Sequence, residues 1–134
     1  MTPNQQTTAL RVGAALVIAS GVLVGLGSHP ATAWPARIIA DLIFWPLDGL
    51  QTGMAGETRL LAAIGGGVML GWGLMIWQLA TVPAAYPAIR TSILVWFCAD
   101  SLGSLAAGAW LNVLGNLVFL IVFMVALRQK ATAM

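Results

Sequence analysis

Arg59-Leu60-Leu61-Ala62-Ala63-Ile64-Gly65-Gly66-Gly67-Val68-Met69-Leu70-Gly71-Trp72-Gly73-Leu74-Met75-Ile76-Trp77-Gln78-Leu79-Ala80 carries one charge, at its first position. About 20 apolar residues suffice for a helix to cross a hydrocarbon core. A lipid-facing strand would instead be roughly ten residues long and would alternate apolar with polar side chains. This run is continuous, and a helix satisfies its own backbone without water. The stretch therefore predicts a transmembrane helix, and it sets the terms for the rest of the chain.

Three further runs have the same character. They cover residues 9–27, 91–110 and 111–127, so the fold expected is all-α, an integral membrane four-helix bundle in a single domain, 1–134. Composition agrees. The chain is 60% hydrophobic and 7% charged, against about 25% charged in an average soluble domain. So few charges would not cover a water-soluble globule, and so high an apolar content excludes disorder. The six bases are scattered, which excludes the clustered cations of a nucleic-acid surface. The single cysteine, Cys98, has no partner and no CxxC motif, and it reads as a small buried hydrophobe.

The first run has a second reading. Arg11 before an apolar stretch and Ala31-Thr32-Ala33 after it have the form of a signal peptide with its cleavage site. A retained helix is expected, because the stretch is near the upper limit for a signal core.

Residues 28–58 are too many for a plain loop. Within them Pro35 suits a helix start and Pro46 a stop. A short interfacial helix over 36–45 is expected between helices one and two, with Ile38, Ile39, Leu42, Ile43 and Trp45 apolar and Arg37 paired to Asp41 one turn on. Four spans put both termini and the 81–90 connection on one side. That side holds Arg11, Arg90, Arg128 and Lys130, and the other holds Arg37 and Arg59. The excess of bases places both termini in the cytoplasm of a bacterial inner membrane. Trp34, Trp45, Trp77 and Trp110 fall near the expected interfaces. Trp72 and Trp96 lie deeper, as core packing or as a wall for an aromatic ligand.

Small residues let helices approach where lipid offers no hydrophobic push. Gly21 and Gly25, Gly67 and Gly71, and Ser104 and Gly108 are each spaced four apart and are expected on packing faces. The alternatives for such faces are contact with another copy or a flat seat for a pigment or lipid tail.

Asp100 is the sharpest candidate for chemistry. It lies about ten residues from either end of the run 91–110, near the midplane of a span. A carboxylate there should face the bundle. Ser104 is one turn away, and antiparallel packing brings Asn112 and Asn116 of the fourth run alongside. These four form an intramembrane polar site, either an interhelical clamp or a proton or ligand site. Arg59 is the nearest cation that could reach it from the outer end. The lone His29 has too few partners for haem or metal, and no Ser-His-Asp set can assemble. No catalytic residue, metal or cofactor is expected.

Glu57-Thr58-Arg59-Leu60-Leu61 followed by Gly65-Gly66-Gly67-Val68-Met69-Leu70-Gly71-Trp72-Gly73, then Asp100-Ser101-Leu102-Gly103-Ser104 and Asn116, resembles small bacterial DoxX-like membrane proteins. The resemblance covers the order of all four runs and implies a four-helix inner-membrane bundle, sometimes accessory to quinone-linked redox enzymes. Taken together, the expected function is a non-enzymatic accessory or structural subunit in the bilayer, with a protein partner or a second copy. A small oligomeric proton-linked transporter using Asp100 is the alternative. A component of a quinone-linked redox enzyme comes third.

Overall fold

A computed structural model describes residues 1–53 and 55–128; Lys130, used above for orientation, lies outside them. The chain is all-helical, 79% helix with no strands among the described residues. Among the described residues five helices follow in order: α1 (Pro3–Leu26), α2 (Trp34–Phe44), α3 (Gly56–Leu79), α4 (Tyr86–Ala106) and α5 (Trp110–Ala126), with a 3-10 turn at Pro83–Ala85 before α4.

The ends of these helices have local causes. α1 starts six residues before the apolar run because Thr2 and Gln5 form a capping box. The Thr2 hydroxyl accepts the Gln5 N–H at 3.3 Å, and the Gln5 side chain accepts the Thr2 N–H at 2.8 Å. α2 begins with Pro35 in its first turn and stops before Pro46. α4 is shifted from its expected limits. It starts with Pro87 in its first turn, and it ends in a Schellman motif around Gly108. Gly108 takes the left-handed conformation (φ +80), the Ala109 N–H donates to Ser104 O at 2.8 Å, and the Gly108 N–H donates to Leu105 O at 3.1 Å. Gly108 is thus a helix stop, and its expected place on a packing face with Ser104 is corrected.

Among the described residues two helices, α1 and α3, are long and apolar enough to cross a membrane. The four spans expected divide differently in the structure. α5 is apolar but 17 residues long, and α4 carries Arg90, Asp100, Ser101 and Ser104 along its 21 residues.

α1 is central. It packs against α3 and α5, α4 packs on α5, and α2 crosses the end formed by α1 and α5. The core gathers at the opposite end, where Leu10, Ala14, Val17, Ile76, Ala80, Tyr86, Ile89, Ile93, Phe123, Ala126 and Leu127 bury one another. Two bonds tie that end: the Thr7 hydroxyl and the Tyr86 hydroxyl donate to Ala80 O at 3.3 and 3.0 Å. Arg11 stacks 5.5 Å from the centre of the Trp77 ring there. α4 stands away from α3, and aromatic rings close the gap. Trp72 lies 5.8 Å from Trp96, and Trp96 lies 6.0 Å from Phe119. The Trp72 indole N–H donates to the Ser92 hydroxyl at 3.4 Å.

The close approach of α1 and α3 runs through a different set of glycines from the pair expected on α3. A Cβ on Gly66 would meet Gly25 N at 2.6 Å and Gly21 O at 2.7 Å. One on Gly21 would meet Leu70 N at 2.8 Å, and one on Gly73 the Ile18 side chain at 2.7 Å. Gly13 seats the Phe123 ring of α5, 2.8 Å from where its Cβ would lie. Gly67 and Gly71 are exposed, with nothing within 4 Å of either Cβ position. Their expected packing inside this chain is corrected. One residue turns a helix by about 100°, so the face holding Gly66 and Gly73 turns Gly67 and Gly71 outward.

Candidate functional site

The polar site is built where α4 stops and α5 begins. Asp100 and Ser104 are one turn apart on α4, which sets them on one face. The Schellman stop then reverses the chain within a few residues, so the first turn of α5 comes back alongside them. The Ser104 hydroxyl donates to Asp100 Oδ1 at 3.1 Å. Asn112 Nδ2 donates to the same oxygen at 3.2 Å and to Ser104 Oγ at 2.8 Å. One turn deeper, buried Asn116 donates from Nδ2 to the Ser101 hydroxyl at 3.3 Å. Two rungs therefore join α4 to α5: Asp100, Ser104 and Asn112, then Ser101 and Asn116.

Asp100 is off-centre. α4 ends at Ala106, six residues on, or roughly 9 Å along the axis. The central position expected along the helix is corrected: α4 begins five residues earlier than expected and the Schellman stop ends it four residues sooner. Asp100 is half-buried. Both of its bonds fall on Oδ1, and among the described residues Oδ2 receives none. The carboxylate lies against a cavity of about 380 Å³ also lined by Ala40, Ile43 and Phe44 of α2, and by Ala107 and Asn112.

Arg59 is not near this group. Its Nε donates to Ser28 O at 2.9 Å, in the turn just beyond the C-terminus of α1, the end of a helix at which a cation is favoured. The reach toward Asp100 considered from sequence is corrected by that bond. The Arg37–Asp41 pair is corrected too. Both Asp41 oxygens accept the Gly49 N–H, at 3.1 and 3.0 Å, and Arg37 Nη2 donates to Pro30 O at 3.3 Å. Asp41 thereby pins the segment after α2.

Comparison with protein-family models, with curated proteins and with solved structures finds no match for this chain. Its chemistry must be read from its own groups. Among the described residues, no three of His, Cys, Asp and Glu gather closely enough to hold a metal ion. His29 is exposed, and its Nδ1 accepts the Ala31 N–H at 3.2 Å. Cys98 is exposed on α4 and not buried as expected.

The arrangement around Asp100 holds a carboxylate with neutral donors and ties two helices. Two features escaped the sequence. One is Ser101, whose partnership with Asn116 depends on the angle at which α5 returns. The other is a second cavity beneath α2, of about 370 Å³, where α1, α2 and α3 meet. Arg37 lines it, and the Arg37 Nε is buried without a hydrogen-bond partner.

Proposed function

We propose that this chain is a multi-pass protein of a bacterial inner membrane that serves, without catalysis of its own, as an accessory subunit of a larger assembly. The observation that carries the reading is the outer face of α3. Gly67 and Gly71 lie exposed on it among exposed Leu60, Ile64, Val68 and Met75. A GxxxG face that the chain does not use internally is suited to a second helix, because it lets backbones approach closely.

The membrane setting has separate support. Only 28% of the apolar window of α1 and 17% of that of α3 is buried, whereas a core helix of a soluble domain that is apolar all round is enclosed. α2 is apolar on two sides, with Ile38 and Leu42 exposed and Ile39 and Ile43 against the cavity, as suits a helix lying in the interface. α1 is read as a retained span and not a cleaved leader, because Leu10, Ala14 and Val17 belong to the core. Arg11, Arg90 and Arg128 share the end that carries the α3–α4 turn, which favours cytoplasmic termini. α4 and α5 complete four spans in this proposal, in the DoxX-like order.

The test is assembly state in mild detergent. The wild-type chain should migrate in a stoichiometric complex, with another protein or a second copy. Gly67→Leu with Gly71→Leu should release it while the melting temperature of the isolated chain holds. A complex unchanged by the double variant, or a wild-type chain that migrates alone, would refute the reading.

A second reading, proton-linked transport through Asp100, is favoured by one observation: the carboxylate adjoins a cavity. An Asp100→Asn variant that folds normally yet abolishes proton-coupled uptake in vesicles would support it. Unchanged uptake would leave Asp100 a clamp.

A further inference from the structure

The cavity beneath α2 differs from the one at Asp100. Its walls are mostly apolar, with Leu23 and Val24 of α1, Ile39 and Ile43 of α2, and Ala62 of α3, and Gln51 and Thr58 add two neutral polar side chains. One cation stands among them. Arg37 is drawn in from solvent, with one guanidinium nitrogen on Pro30 O and the buried Nε on nothing. The acid best placed to neutralise it, Asp41 one turn on, has both oxygens on the Gly49 N–H. An ion held against apolar walls with no direct ion pair among the described residues is costly, and a polar N–H left unpaired adds to the cost. A guanidinium offers forked donors that match a carboxylate or phosphate. Walls and cation together describe a ligand with one anionic head and one apolar body. At about 370 Å³, the space falls at the small end of ligand pockets, which run roughly 300–1,000 Å³. One hydrocarbon chain fits that description better than the two of a phospholipid.

We infer that this cavity binds a single-chain anionic amphiphile, its head on Arg37 and its chain between α1, α2 and α3. The site is distinct from the outer face of α3, so the two can fail independently.

The experiment uses the full chain in a neutral maltoside detergent, with palmitate as probe. Binding is followed by equilibrium dialysis, and inorganic phosphate and hexadecanol serve as the head-only and chain-only comparisons. Palmitate should bind saturably at one per chain, at least tenfold tighter than hexadecanol, with phosphate alone not retained. Arg37→Gln keeps a polar side chain without the charge and should weaken palmitate at least tenfold while circular dichroism and melting are unchanged. A lysophosphatidate that binds as palmitate does, with the same loss in Arg37→Gln, supports the site and identifies its source as a lipid headgroup. Hexadecanol binding as tightly as palmitate overturns the role of Arg37, and that comparison needs no variant to fold. Phosphate binding equal to that of palmitate overturns the role of the apolar walls. Equal palmitate affinity in wild type and Arg37→Gln overturns the assignment altogether.

Discussion

Gly66→Ala should destabilise this protein, whereas Gly67→Ala, one residue away, should not. Every atom nearest a Cβ at position 66 is backbone: Gly25 N at 2.6 Å, Gly21 O at 2.7 Å and Gly25 Cα at 2.7 Å. Ordinary contact begins at 3.4 Å, so the shortfall is 3.4 minus 2.6, or 0.8 Å. Backbone of a packed helix cannot swing aside as a side chain can, so α1 and α3 must part. A gap of about 0.5–1 Å forfeits a quarter to a half of each dispersion contact across it. Overpacking of this kind costs roughly 1–3 kcal/mol. At position 67 a Cβ meets nothing within 4 Å.

Both substitutions replace glycine by alanine inside the same helix, so the gain in helix propensity, up to about 1 kcal/mol, cancels in the comparison. What remains is the close contact alone. A difference of about 2 kcal/mol corresponds to a gap on the order of 5–10 °C in melting temperature for a chain of this size. Thermal unfolding in mild detergent, followed by circular dichroism, measures it. If the two variants melt within a degree of each other, α1 and α3 do not meet through Gly66. Gly67→Ala melting far below Gly66→Ala would mean that the packing face is the one predicted from sequence.

Asn112→Ala removes the donor shared by Asp100 and Ser104 and should cost about 1–2 kcal/mol. In a double-mutant cycle with Ser104→Ala, the two losses should fail to add by at least ~0.5 kcal/mol; additivity would dissolve the clamp. Gly108→Ala places a side chain at φ +80 and should cost roughly 1–2 kcal/mol. Gly115→Ala, with open space around its Cβ position, is the control, and equal melting of the two would contradict the Schellman stop.

The helices were legible because long apolar runs with few charges leave the backbone little else to do. Which face of each helix turns inward was less so. Gly66 and Gly73 pack, Gly67 and Gly71 do not, and the sequence holds both pairs in one glycine-rich run. Only the position of α1 chooses between them. The Asp100–Ser104 pair follows from helical spacing, and Asn112 follows from antiparallel return. The position of Asp100 along its helix did not follow, because Gly108 could be read as a packing residue or as a stop. Arg37 is the instructive miss. An acid four residues on is the usual partner of a base on a helix. Here the loop after α2 folds back, and the Gly49 N–H takes Asp41 first. Nothing local foretells that closure.

The two ends of the molecule divide the work of the fold. At one end Leu10, Ala80, Tyr86, Ala126 and Leu127 are buried together, and hydroxyl bonds to Ala80 O lock the α3–α4 turn onto α1. At the other, α2 lies across α1 and α5, with a cavity on each side of it. Both cavities are lined by the same three residues of α2: Ala40, Ile43 and Phe44. One therefore ends at Arg37 and the other at Asp100, with a single 11-residue helix as their common wall. Packing density is what resists displacement, and it is concentrated away from α2. α2 is thus the wall shared by the cation and the carboxylate, and among the described residues no bond joins the two. The core that holds α1, α3, α4 and α5 together does not include this helix, so the two cavities lie outside the part of the fold that apolar packing secures.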